Sequence, residues 1–478
     1  MTMASDERES EATIAVLDIG KTNVKLSAVS ETGTVVEVLS VVNAVNDAPP
    51  WRHHDLDGLG DWIFATLAQL ARRHPIASIV CSGHGSGGVL TFDDPDRGNG
   101  AALPMIDYEQ PLPDDIRDAY TPQSGSFFDR GSAIMLGATH QARQMYWMQQ
   151  EQPEAFARAC WFLGIPQYWA WRLSGVAVSE VSYLGAQSHL WNVVERHWTP
   201  IVEARGWHRL MPPFANAWDT IGTIRPALAA RHGLRPALKV LAGGHDSSLN
   251  YYRYQAAGLR NFALVSTGTW IVGLCDATPL SDLDEHRGMT CNSDVSGVPL
   301  GGVLCMGGRE FSRVAGADAP QADVEFDTLV RLVEQGTMAM PSFSDDDGLF
   351  PGSAGRGRYL GPLPESPAER KALALLYCAL LTCECLNALG SASLVVLDGS
   401  FVRDPLYARL VAAISQRKLL YNLDSAGVTA GAALLVGHIG RSRPAPINLC
   451  EPAGMATFQP VLDSYVKRWR SLTSRIQS

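Results

Sequence analysis

The sequence predicts an α/β protein of two lobes, each built on a mixed β-sheet with helices packed against it. The chain has 478 residues, 46% hydrophobic and 18% charged, which is too long for one ordinary core and suits a soluble multidomain protein. A pattern of three strands, a helix and a strand occupies residues 13–83. A strand, a turn rich in Thr and Gly, and a second strand recur at residues 261–275, so we expect two related lobes that divide near residue 241.

The first lobe opens with three segments typical of strands: TIAVLDIG, NVKLSAVS and TVVEVLSVV, joined by tight turns that contain Gly. DGLGDWIFATLAQLARRH then predicts a helix, and IASIVCSG predicts a buried strand. A mixed sheet covered by helices is the natural architecture for this order of elements. Residues 1–11 are polar and acidic, lack the apolar segment of a signal peptide, and predict a disordered tail.

The second lobe contains the most apolar segment of the chain, ALALLYCALLTCECLNAL at residues 372–389. Ser366 and Glu369 before it have the spacing of a capping box, and Pro367 suits the first helical position. Gly390 follows directly, as at many helix ends. We therefore expect a buried helix of a soluble protein rather than a membrane span. SLVVLDG at residues 393–399 predicts the next strand.

The net charge argues against one class of partner, and the cysteines indicate the cellular compartment. A net charge of -10 and a pI near 5.6 argue against nucleic acid, because that partner requires clustered Lys and Arg. The nine cysteines are scattered without paired CxxC spacing, which is typical of reduced thiols in a cytoplasmic protein. The sequence thus predicts a cytoplasmic protein with no membrane partner. The oligomeric state stays open, with a homodimer among the options.

The hairpin VLDIGKTNVKL carries a candidate phosphate site. Gly20, Lys21 and Thr22 resemble the end of a P-loop, but Ala15 stands where that loop needs Gly, and a strand follows instead of a helix. A turn with inward amides can nevertheless hold phosphate oxygens, while Asp18 is placed to hold a hydrated cation. The alternative is that Asp-x-Gly marks only a turn.

Two further glycine motifs lack the context that their usual chemistry needs. Gly83, Gly85 and Gly88 form GxGxxG after a strand, but VLTFDDP after them predicts extended chain, so no helix N-terminus meets a pyrophosphate. A nucleophile elbow around Ser86 would need Gly where His84 stands. A dinucleotide site and an acyl hydrolase are therefore both disfavoured.

The segment GGHDSS, residues 243–248, lies between the apolar run KVLA and the predicted helix LNYYRYQAAG. Asp246 is either a helix N-cap, since Asp accepts hydrogen bonds from first-turn amides, or a carboxylate held for chemistry. The two roles are compatible if one oxygen faces amides and the other a substrate. Gly243 and Gly244 would let that substrate approach the backbone.

Together, DIGKTN, STGTW and GGHD give the chain a resemblance to the FGGY carbohydrate kinases of the sugar kinase and actin-like ATPase superfamily. The similarity extends over most of the chain through IPQYWAWRLSG, SEVSYLGAQSHLWNV, MPPF, IGTI and DGSFVRDPLYARLVAA. It implies two ribonuclease-H-like lobes, each a mixed five-stranded sheet with flanking helices, with a cleft between them. Residues 12–241 would form the sugar- and phosphate-binding lobe, and residues 242–478 the nucleotide-binding lobe.

The resemblance also implies roles for individual residues. Asp246 would be the catalytic base of an ATP-dependent kinase that phosphorylates a small sugar, and Asp18 would position Mg²⁺. The residues implied to surround ATP are Asp18, Gly20, Lys21, Thr22, Asn23, Thr267, Gly268, Thr269, Gly399, Ser400 and Phe401. The residues implied to contact the sugar are Gly83, His84, Gly85, Asp107 and His245.

The chain departs from the family pattern at three places. The phosphate turn has Lys21-Thr22 and a later Lys25 in place of two Thr and an Arg. The segment MIDYEQ keeps only Asp107 of the usual Trp-x-Asp-x-Arg, and the adenosine loop keeps only Gly399 of three glycines. The pair His245-Asp246 is most similar to the L-rhamnulose and L-fuculose kinase branch, which implies a ketose such as a 6-deoxyhexulose or a pentulose.

Several alternatives remain open at this point. An actin-like ATP-binding sugar sensor would need the phosphate loops but not Asp246. The Thr267 hydroxyl could be satisfied by its own turn, and His84 could be an ordinary packed histidine. The tryptophans at 161, 169 and 171 favour core packing over a sugar-stacking platform, because they lie in an apolar helix. The pair at Arg309 and Glu310 has no chemical role that the sequence indicates.

Overall fold

The computed structural model describes residues 13–319, 321–390, 392–424 and 426–474. The tail predicted for residues 1–11 lies outside the described residues. The strands are β1 (Thr13–Ile19), β2 (Asn23–Val29), β3 (Val35–Val42), β4 (Val45–Asn46), β5 (His53–His54), β6 (Ile76–Gly83), β7 (Gly88–Thr91), β8 (Trp161–Gly164), β9 (Trp191–Asn192), β10 (His197–Trp198), β11 (Thr220–Thr223), β12 (Lys239–Leu241), β13 (Gly244–His245), β14 (Phe262–Thr267), β15 (Ile271–Cys275), β16 (Thr290–Ser293), β17 (Pro299–Cys305), β18 (Met338–Met340), β19 (Arg358–Leu360), β20 (Leu394–Gly399) and β21 (Leu419–Tyr421).

The helices pack on both sheets and connect their strands. They are α1 (Leu56–Arg73), α2 (Asp114–Tyr120), α3 (Phe127–Arg130), α4 (Gln141–Glu151), α5 (Pro153–Ala157), α6 (Ile165–Ser174), α7 (Val181–Leu184), α8 (Pro200–Ala204), α9 (Pro226–His232), α10 (Asp246–Ala256), α11 (Gly307–Ala315), α12 (Phe326–Glu334), α13 (Pro367–Leu389), α14 (Pro405–Ser415), α15 (Gly427–Leu434) and α16 (Gln459–Thr473).

The two large sheets repeat the same pairing pattern, which confirms the predicted relation between the lobes. In the first, β3, β2 and β1 pair antiparallel, and β6 and β12 continue in parallel. In the second, β17, β15 and β14 pair antiparallel, and β20 and β21 continue in parallel. Each lobe therefore holds the expected five strands. The sheets are wider than predicted because β11 and β13 join the first, and β16 joins the second.

Helix α10 lies between the two sheets and contacts both. Its Leu249 and Tyr252 belong to the apolar cluster of the first sheet, while Tyr251 and Tyr254 pack with strands of the second. Because these side chains point to both sides of the helix, α10 is held on two faces. Its first turn consequently has a fixed position at the boundary of the lobes. The division near residue 241 stays a prediction, and β13 beyond it pairs with the first sheet.

Helix α13 forms the centre of the second core, as its composition predicted. Ser366 and Glu369 make the capping box, with Pro367 at the first position and Gly390 at the end. The helix is long and apolar enough to cross a membrane, but 89% of its most apolar window is buried inside the protein. Packing against β15, β17 and neighbouring helices explains the apolar sequence.

Candidate active site

The chain brings three segments that the sequence singled out to one edge of the first sheet. Strand β6 lies between β1 and β13, so Gly83 at its end pairs with Ile19 on one side and His245 on the other. The carboxyl ends of parallel strands meet at one edge, where ligands commonly bind in α/β folds. The hairpin that carries Asp18, the loop at His84 and the start of α10 thus converge.

Asp246 is the first residue of α10, and His245 occupies the N-cap position without a side-chain hydrogen bond. The expectation of an Asp N-cap is therefore wrong by one residue. One carboxylate oxygen, Oδ1, accepts hydrogen bonds from the amide and the hydroxyl of Ser247. A first-turn amide thus binds one carboxylate oxygen, and the approach of a substrate to the other oxygen stays a prediction. The Asp246 side chain keeps 26% of its exposure.

Burial changes the acid strength of two carboxyl groups at this edge. The surrounding protein raises the pKa of Asp246 to about 6, because water that would solvate the charge is excluded. Burial and the nearby charge of Asp246 raise the pKa of Asp18 to about 6 as well. Asp246 therefore keeps its proton to a higher pH than an ordinary aspartate, whose pKa is near 3.9. A carboxylate with a higher pKa is a stronger proton acceptor.

The two carboxylates fit a divalent cation at Asp18. Two buried groups that oppose each other's ionisation would be stabilised by an added positive charge. Within the described ranges, no group of three His, Cys, Asp or Glu side chains could hold a metal on its own. A cation here would therefore take most of its ligands from water and phosphate oxygens, as Mg²⁺ does readily.

A small cavity of about 110 Å³ opens beside Asp246. It brings together four residues that the sequence predicted: His84, Gly85, His245 and Asp246. The remaining lining residues were not predicted; they are Ser86, Tyr108, Met135, Thr139, Gln187, Ser247, Trp270, Val272, Asn292 and Leu304. They come from both lobes, so the cavity lies in the cleft between them.

The cavity contains polar atoms without protein partners. Among the described residues, neither ring nitrogen of His84 has a hydrogen-bond partner, nor has Oε1 of Gln187, although all three atoms are buried. Burial lowers the pKa of His84 to about 3, so its ring is neutral and offers one donor and one acceptor. Buried polar groups are normally satisfied, so these three atoms are available to bind a polar ligand or an ordered water.

A second, larger cavity of about 1110 Å³ lies in the second lobe. Four residues that the resemblance placed around ATP line it: Gly268, Thr269, Ser400 and Phe401. The N-terminal end of α11 also faces this space and adds Gly308, Arg309, Phe311, Ser312 and Arg313. The two cavities are neighbours, because Gly268 and Thr269 line the larger one while the next residue, Trp270, lines the smaller one.

Sequence models of the FGGY family match both lobes: the N-terminal domain of the FGGY family of carbohydrate kinases over residues 13–251, and the C-terminal domain over residues 259–444. The chain belongs to the FGGY family of carbohydrate kinases. Among solved structures, a carbohydrate kinase from Novosphingobium aromaticivorans is 30% identical and has a TM-score of 0.85, over 98% of this FGGY kinase and 100% of that chain. Family and class are thus as predicted.

Two further comparisons agree with this, one in sequence and one in fold alone. L-fuculokinase of Escherichia coli strain K12 is 26% identical over 296 residues, which is 59% of this chain and 60% of that enzyme. The FGGY kinase thus aligns with less than two thirds of that curated relative. The xylulose kinase from Lactobacillus acidophilus shares the fold at 15% identity, with a TM-score of 0.80 over 98% of this chain and 99% of that one. The predicted two-lobed fold class is confirmed.

Two site glycines of this FGGY kinase are required by packing. Gly243 has φ +67°, and a Cβ there would lie 1.9 Å from the carbonyl oxygen of Cys81. A Cβ on Gly244 would lie 2.7 Å from Oγ of Ser182. The expectation that both glycines make room for substrate is therefore corrected, because Cys81 of β6 and Ser182 of α7 occupy that room. Gly83 is likewise packed, since its Cβ would meet Ile165 at 3.0 Å.

Thr267 makes two hydrogen bonds through its hydroxyl inside the second lobe. Its buried hydroxyl donates to the carbonyl oxygen of Asp398 at 2.9 Å and accepts from the amide of Phe401 at 3.1 Å. This hydroxyl has therefore used its only proton inside the protein, and the role of Thr267 toward ATP stays a prediction. These hydrogen bonds favour the alternative that the sequence left open, a hydroxyl with a structural role. Thr267 holds the loop that presents Ser400 and Phe401 to the larger cavity.

Lys21 and Asp107 pair with each other. Nζ of Lys21 lies 2.5 Å from Oδ1 of Asp107, and Nη2 of Arg52 lies 2.7 Å from Oδ2. Lys21 also lies over the ring of Tyr108, 5.7 Å from its centroid. The sequence predicted Lys21 for phosphate and Asp107 for sugar, and did not predict that one contact would join them. Neither residue lines the small cavity, but Tyr108 beside them does.

Lys21→Met is expected to raise KM for the sugar about tenfold, with a smaller change in KM for ATP. The buried Asp107 would keep only Arg52 as a cationic partner, and breaking one partner of a buried pair is costly. The adjoining Tyr108 would then lose its position. Two-substrate kinetics separate the two KM values, with Lys239→Met on an exposed strand position as the control. A larger change in KM for ATP would favour the phosphate role of Lys21.

Other predictions from sequence have clear outcomes. Strand β7 starts at Gly88, so the GxGxxG motif is followed by extended chain as expected. Trp169 and Trp171 are each 1% exposed in the first core, which confirms packing over sugar stacking for both.

Glu310 is buried and accepts hydrogen bonds from two amides and the Tyr377 hydroxyl, so its role is structural. Thr22 and Asn23 are exposed at the β1–β2 turn, and their role toward ATP stays a prediction.

Proposed function

We propose that this FGGY kinase transfers the γ-phosphoryl group of ATP to a hydroxyl of a small ketose, with Asp246 as the base. The observation that carries the proposal is that this carboxylate lines the small cavity, which is next to the larger cavity. The turn at residues 268–270 lines both spaces. An alcohol bound beside Asp246 would therefore face a phosphate chain that enters from the second lobe.

The base and its surroundings suit phosphoryl transfer. Such a reaction needs an aligned alcohol, positive charge around the phosphates and an acceptor for the hydroxyl proton. Asp246 would take that proton while the alcohol oxygen bonds to the γ-phosphorus and ADP leaves. Mg²⁺ near Asp18 would offset charge on the phosphates when it is bound. Closure of the lobes would exclude water and limit hydrolysis of ATP.

The cavity lining favours a ketose with one apolar end. His84 and Gln187 offer unpartnered polar atoms for vicinal hydroxyls. Met135, Val272 and Leu304 line the same cavity and would receive a methyl group without loss of hydrogen bonds. The name of the relative L-fuculokinase supports the same class, a 6-deoxyhexulose. L-Fuculose and L-rhamnulose are the proposed first choices, followed by pentuloses.

A screen for sugar-dependent ADP formation tests this proposal. The purified protein is incubated with Mg-ATP and a panel of 6-deoxyhexuloses, pentuloses, polyols and aldoses. We expect turnover with a ketose and little ADP without sugar. An ATP-binding sugar sensor would instead bind sugar, with a change in thermal stability, but would form no sugar phosphate. That outcome would contradict the kinase proposal and favour the sensor.

Turnover is expected to fall as the pH drops through about 6. Asp246 accepts a proton only when ionised, and its raised pKa moves the loss of that form up from the usual value near 3.9. The sign follows directly, since the carboxylate predominates above pH 6 and the neutral acid below. Measurement of kcat/KM for the sugar from pH 5 to 8 at saturating Mg-ATP reports this limb. Thermal stability over the same range controls for unfolding, and a limb that persists in the Asp246→Asn variant would contradict the assignment.

The proposal also includes a cellular location, the binding partners and a division of the chain into lobes. A cytoplasmic location fits the nine cysteines, all of which are free thiols. The proposed partners are the sugar and Mg-ATP. We also propose that the lobes divide near residue 241, and that the first lobe binds most of the sugar while the second binds the nucleotide.

A further inference from the structure

Another cavity, of about 400 Å³, lies at the end of α10 opposite to Asp246. Its walls are the last turns of α10, the turn between β16 and β17, and residues 438–444, which follow α15. It shares no lining residue with the small cavity or the larger cavity. We call it the arginine cavity, because its lining includes Arg260, Arg441 and Arg443.

The arginine cavity lies between elements of the two lobes. The β16–β17 turn belongs to the second sheet, whereas α15 packs against strands of the first. His438, which follows α15, stacks on Trp218 with the ring centroids 3.9 Å apart, and Trp218 precedes β11 of the first sheet. A ligand in this cavity would therefore contact parts of both lobes.

The lining of the arginine cavity is positively charged, although the whole chain has a net charge of -10. Its three arginines are accompanied by one carboxylate among the described lining residues, that of Asp294. This carboxylate accepts hydrogen bonds from the Gln255 side chain at 3.0 Å and from two amides of its own turn. It forms no ion pair within the described part of the chain, so it does not neutralise the arginines.

Two of the arginines are held in place by uncharged oxygens. Nη1 of Arg260 donates to the carbonyl oxygens of Gln255 at 2.8 Å and Leu259 at 2.6 Å. Nη2 of Arg441 donates to the carbonyl oxygen of Leu434 at 2.7 Å. Neither arginine pairs with a carboxylate in the residues that the structure describes. Both guanidinium groups are therefore positioned, and their positive charge is left for a further partner.

Other donors of the arginine cavity have no acceptor in the described protein. Nε of Arg441 is buried without a hydrogen-bond partner. Arg443 is exposed and forms neither a hydrogen bond nor an ion pair with described residues. The hydroxyls of Ser296 and Ser442, both on exposed lining residues, likewise donate to no described atom. Water or an anion must supply the missing acceptors.

The arrangement of these donors suits a phosphate group. A guanidinium presents several N–H groups in one plane and binds phosphate or carboxylate oxygens in pairs. The donors of the arginine cavity come from three elements and reach a ligand from several sides, which matches a tetrahedral phosphate better than a planar carboxylate. A volume of about 400 Å³ falls within the range of small-molecule sites, so an organic part can accompany the phosphate.

We propose that the arginine cavity binds the phosphate group of a small phosphorylated molecule, at a site separate from those of the sugar and the nucleotide. The inference does not depend on the proposed function. Arg441 and Arg443 after α15, together with Ser296 in the β16–β17 turn, would hold the phosphate. The bound ligand would join the two lobes at the C-terminal end of the helix that begins with Asp246.

Calorimetric titration of the full-length protein with inorganic phosphate tests the site. Mg²⁺ and a non-hydrolysable ATP analogue are present at saturation, so that phosphate does not enter a nucleotide site. We expect the unaltered protein to bind phosphate, with an affinity about fivefold lower in Arg443→Gln and a further loss when Arg441→Gln is added. Arg443→Gln should keep the wild-type melting temperature, because Arg443 has no partner in the described protein to lose.

Arg231→Gln is the matched control. Arg231 is also exposed, and it forms no hydrogen bond or ion pair with described residues. Its substitution removes the same charge at a distance from the arginine cavity, on α9. The phosphate affinity of this variant should equal that of the unaltered protein.

Three results would overturn the proposal. Equal phosphate affinity in the unaltered protein and in Arg443→Gln would place the anion elsewhere. Absence of binding at millimolar phosphate would show that water satisfies these arginines. Tighter binding of succinate than of phosphate would make the ligand a dicarboxylate. Absence of sugar-dependent ADP formation would contradict only the proposed function, because the phosphate titration involves no turnover.

Discussion

Asp246→Asn is expected to lower sugar-dependent turnover by about two to four orders of magnitude, the scale of losing a positioned acid or base. An amide keeps the size of the side chain and its place at the start of α10, but cannot take a proton. The affinity for ATP should stay close to the wild-type value, because the larger cavity contains none of the atoms that change. Initial rates with saturating ketose and ATP, together with calorimetric titration of an ATP analogue, provide the two measurements.

A matched control isolates chemistry from helix stability. Asp114 is also the first residue of a helix, α2, and its side chain is 84% exposed. Asp114→Asn therefore removes a similar favourable interaction with a helix N-terminus without affecting the small cavity. Turnover of that variant should match the wild type. If Asp246→Asn also keeps near-normal turnover, the proton goes elsewhere and the base assignment is wrong.

The residues that sequence reasoning found share one property: their local pattern already constrains them. The segment GGHD follows a strand and precedes a helix, and such a junction places a side chain at a sheet edge, where Asp246 lies. The hairpin at residues 13–29 was recognisable because alternation and a Gly turn are local signals. Its partner at residues 262–275 was recognisable for the same reason.

The rest of the site depends on contacts that no local pattern contains. Gln187 has a positive φ of 47° and Asn292 lies on β16, and each reaches the small cavity only after distant elements pack together. The pairing of Lys21 with Asp107 joins residues that are far apart in sequence. MIDYEQ carried one usable signal. Tyr108 directly follows Asp107, the residue predicted to contact the sugar, and an aromatic side chain next to such a residue is a reasonable candidate to line the sugar cavity.

The acidity of Asp246 and the hydrogen bonds of Thr267 are also set by packing. Thr267 is 4% exposed and its proton is directed to Asp398. The protein around Asp246 excludes enough water to raise its pKa to about 6. The sequence neighbours contain neither property, because elements distant in sequence supply the hydrogen-bond partner in one case and the desolvation in the other.

Gly399→Ala is expected to weaken binding of ATP at least tenfold and to lower the melting temperature by several degrees. Gly399 has φ +96°, and a Cβ there would lie 2.0 Å from the carbonyl oxygen of Thr267 on the paired strand. No side chain can shift to relieve that contact, so the backbone must move, at a cost on the order of 1–3 kcal/mol. The loop with Ser400 and Phe401 would move with it. Titration of an ATP analogue and calorimetric unfolding measure the two effects.

The control for this substitution separates backbone strain from displacement of the loop. Gly440 has a similar φ of +90°, but a Cβ there would meet nothing within 4 Å. Gly440→Ala therefore adds the conformational strain without the collision, and it should lower stability slightly while nucleotide affinity is unchanged. Equal losses of affinity in both variants would show that general destabilisation is responsible. Unchanged affinity in Gly399→Ala would place the nucleotide away from the Ser400–Phe401 loop, because a shift of a loop that contacts ATP would change the affinity.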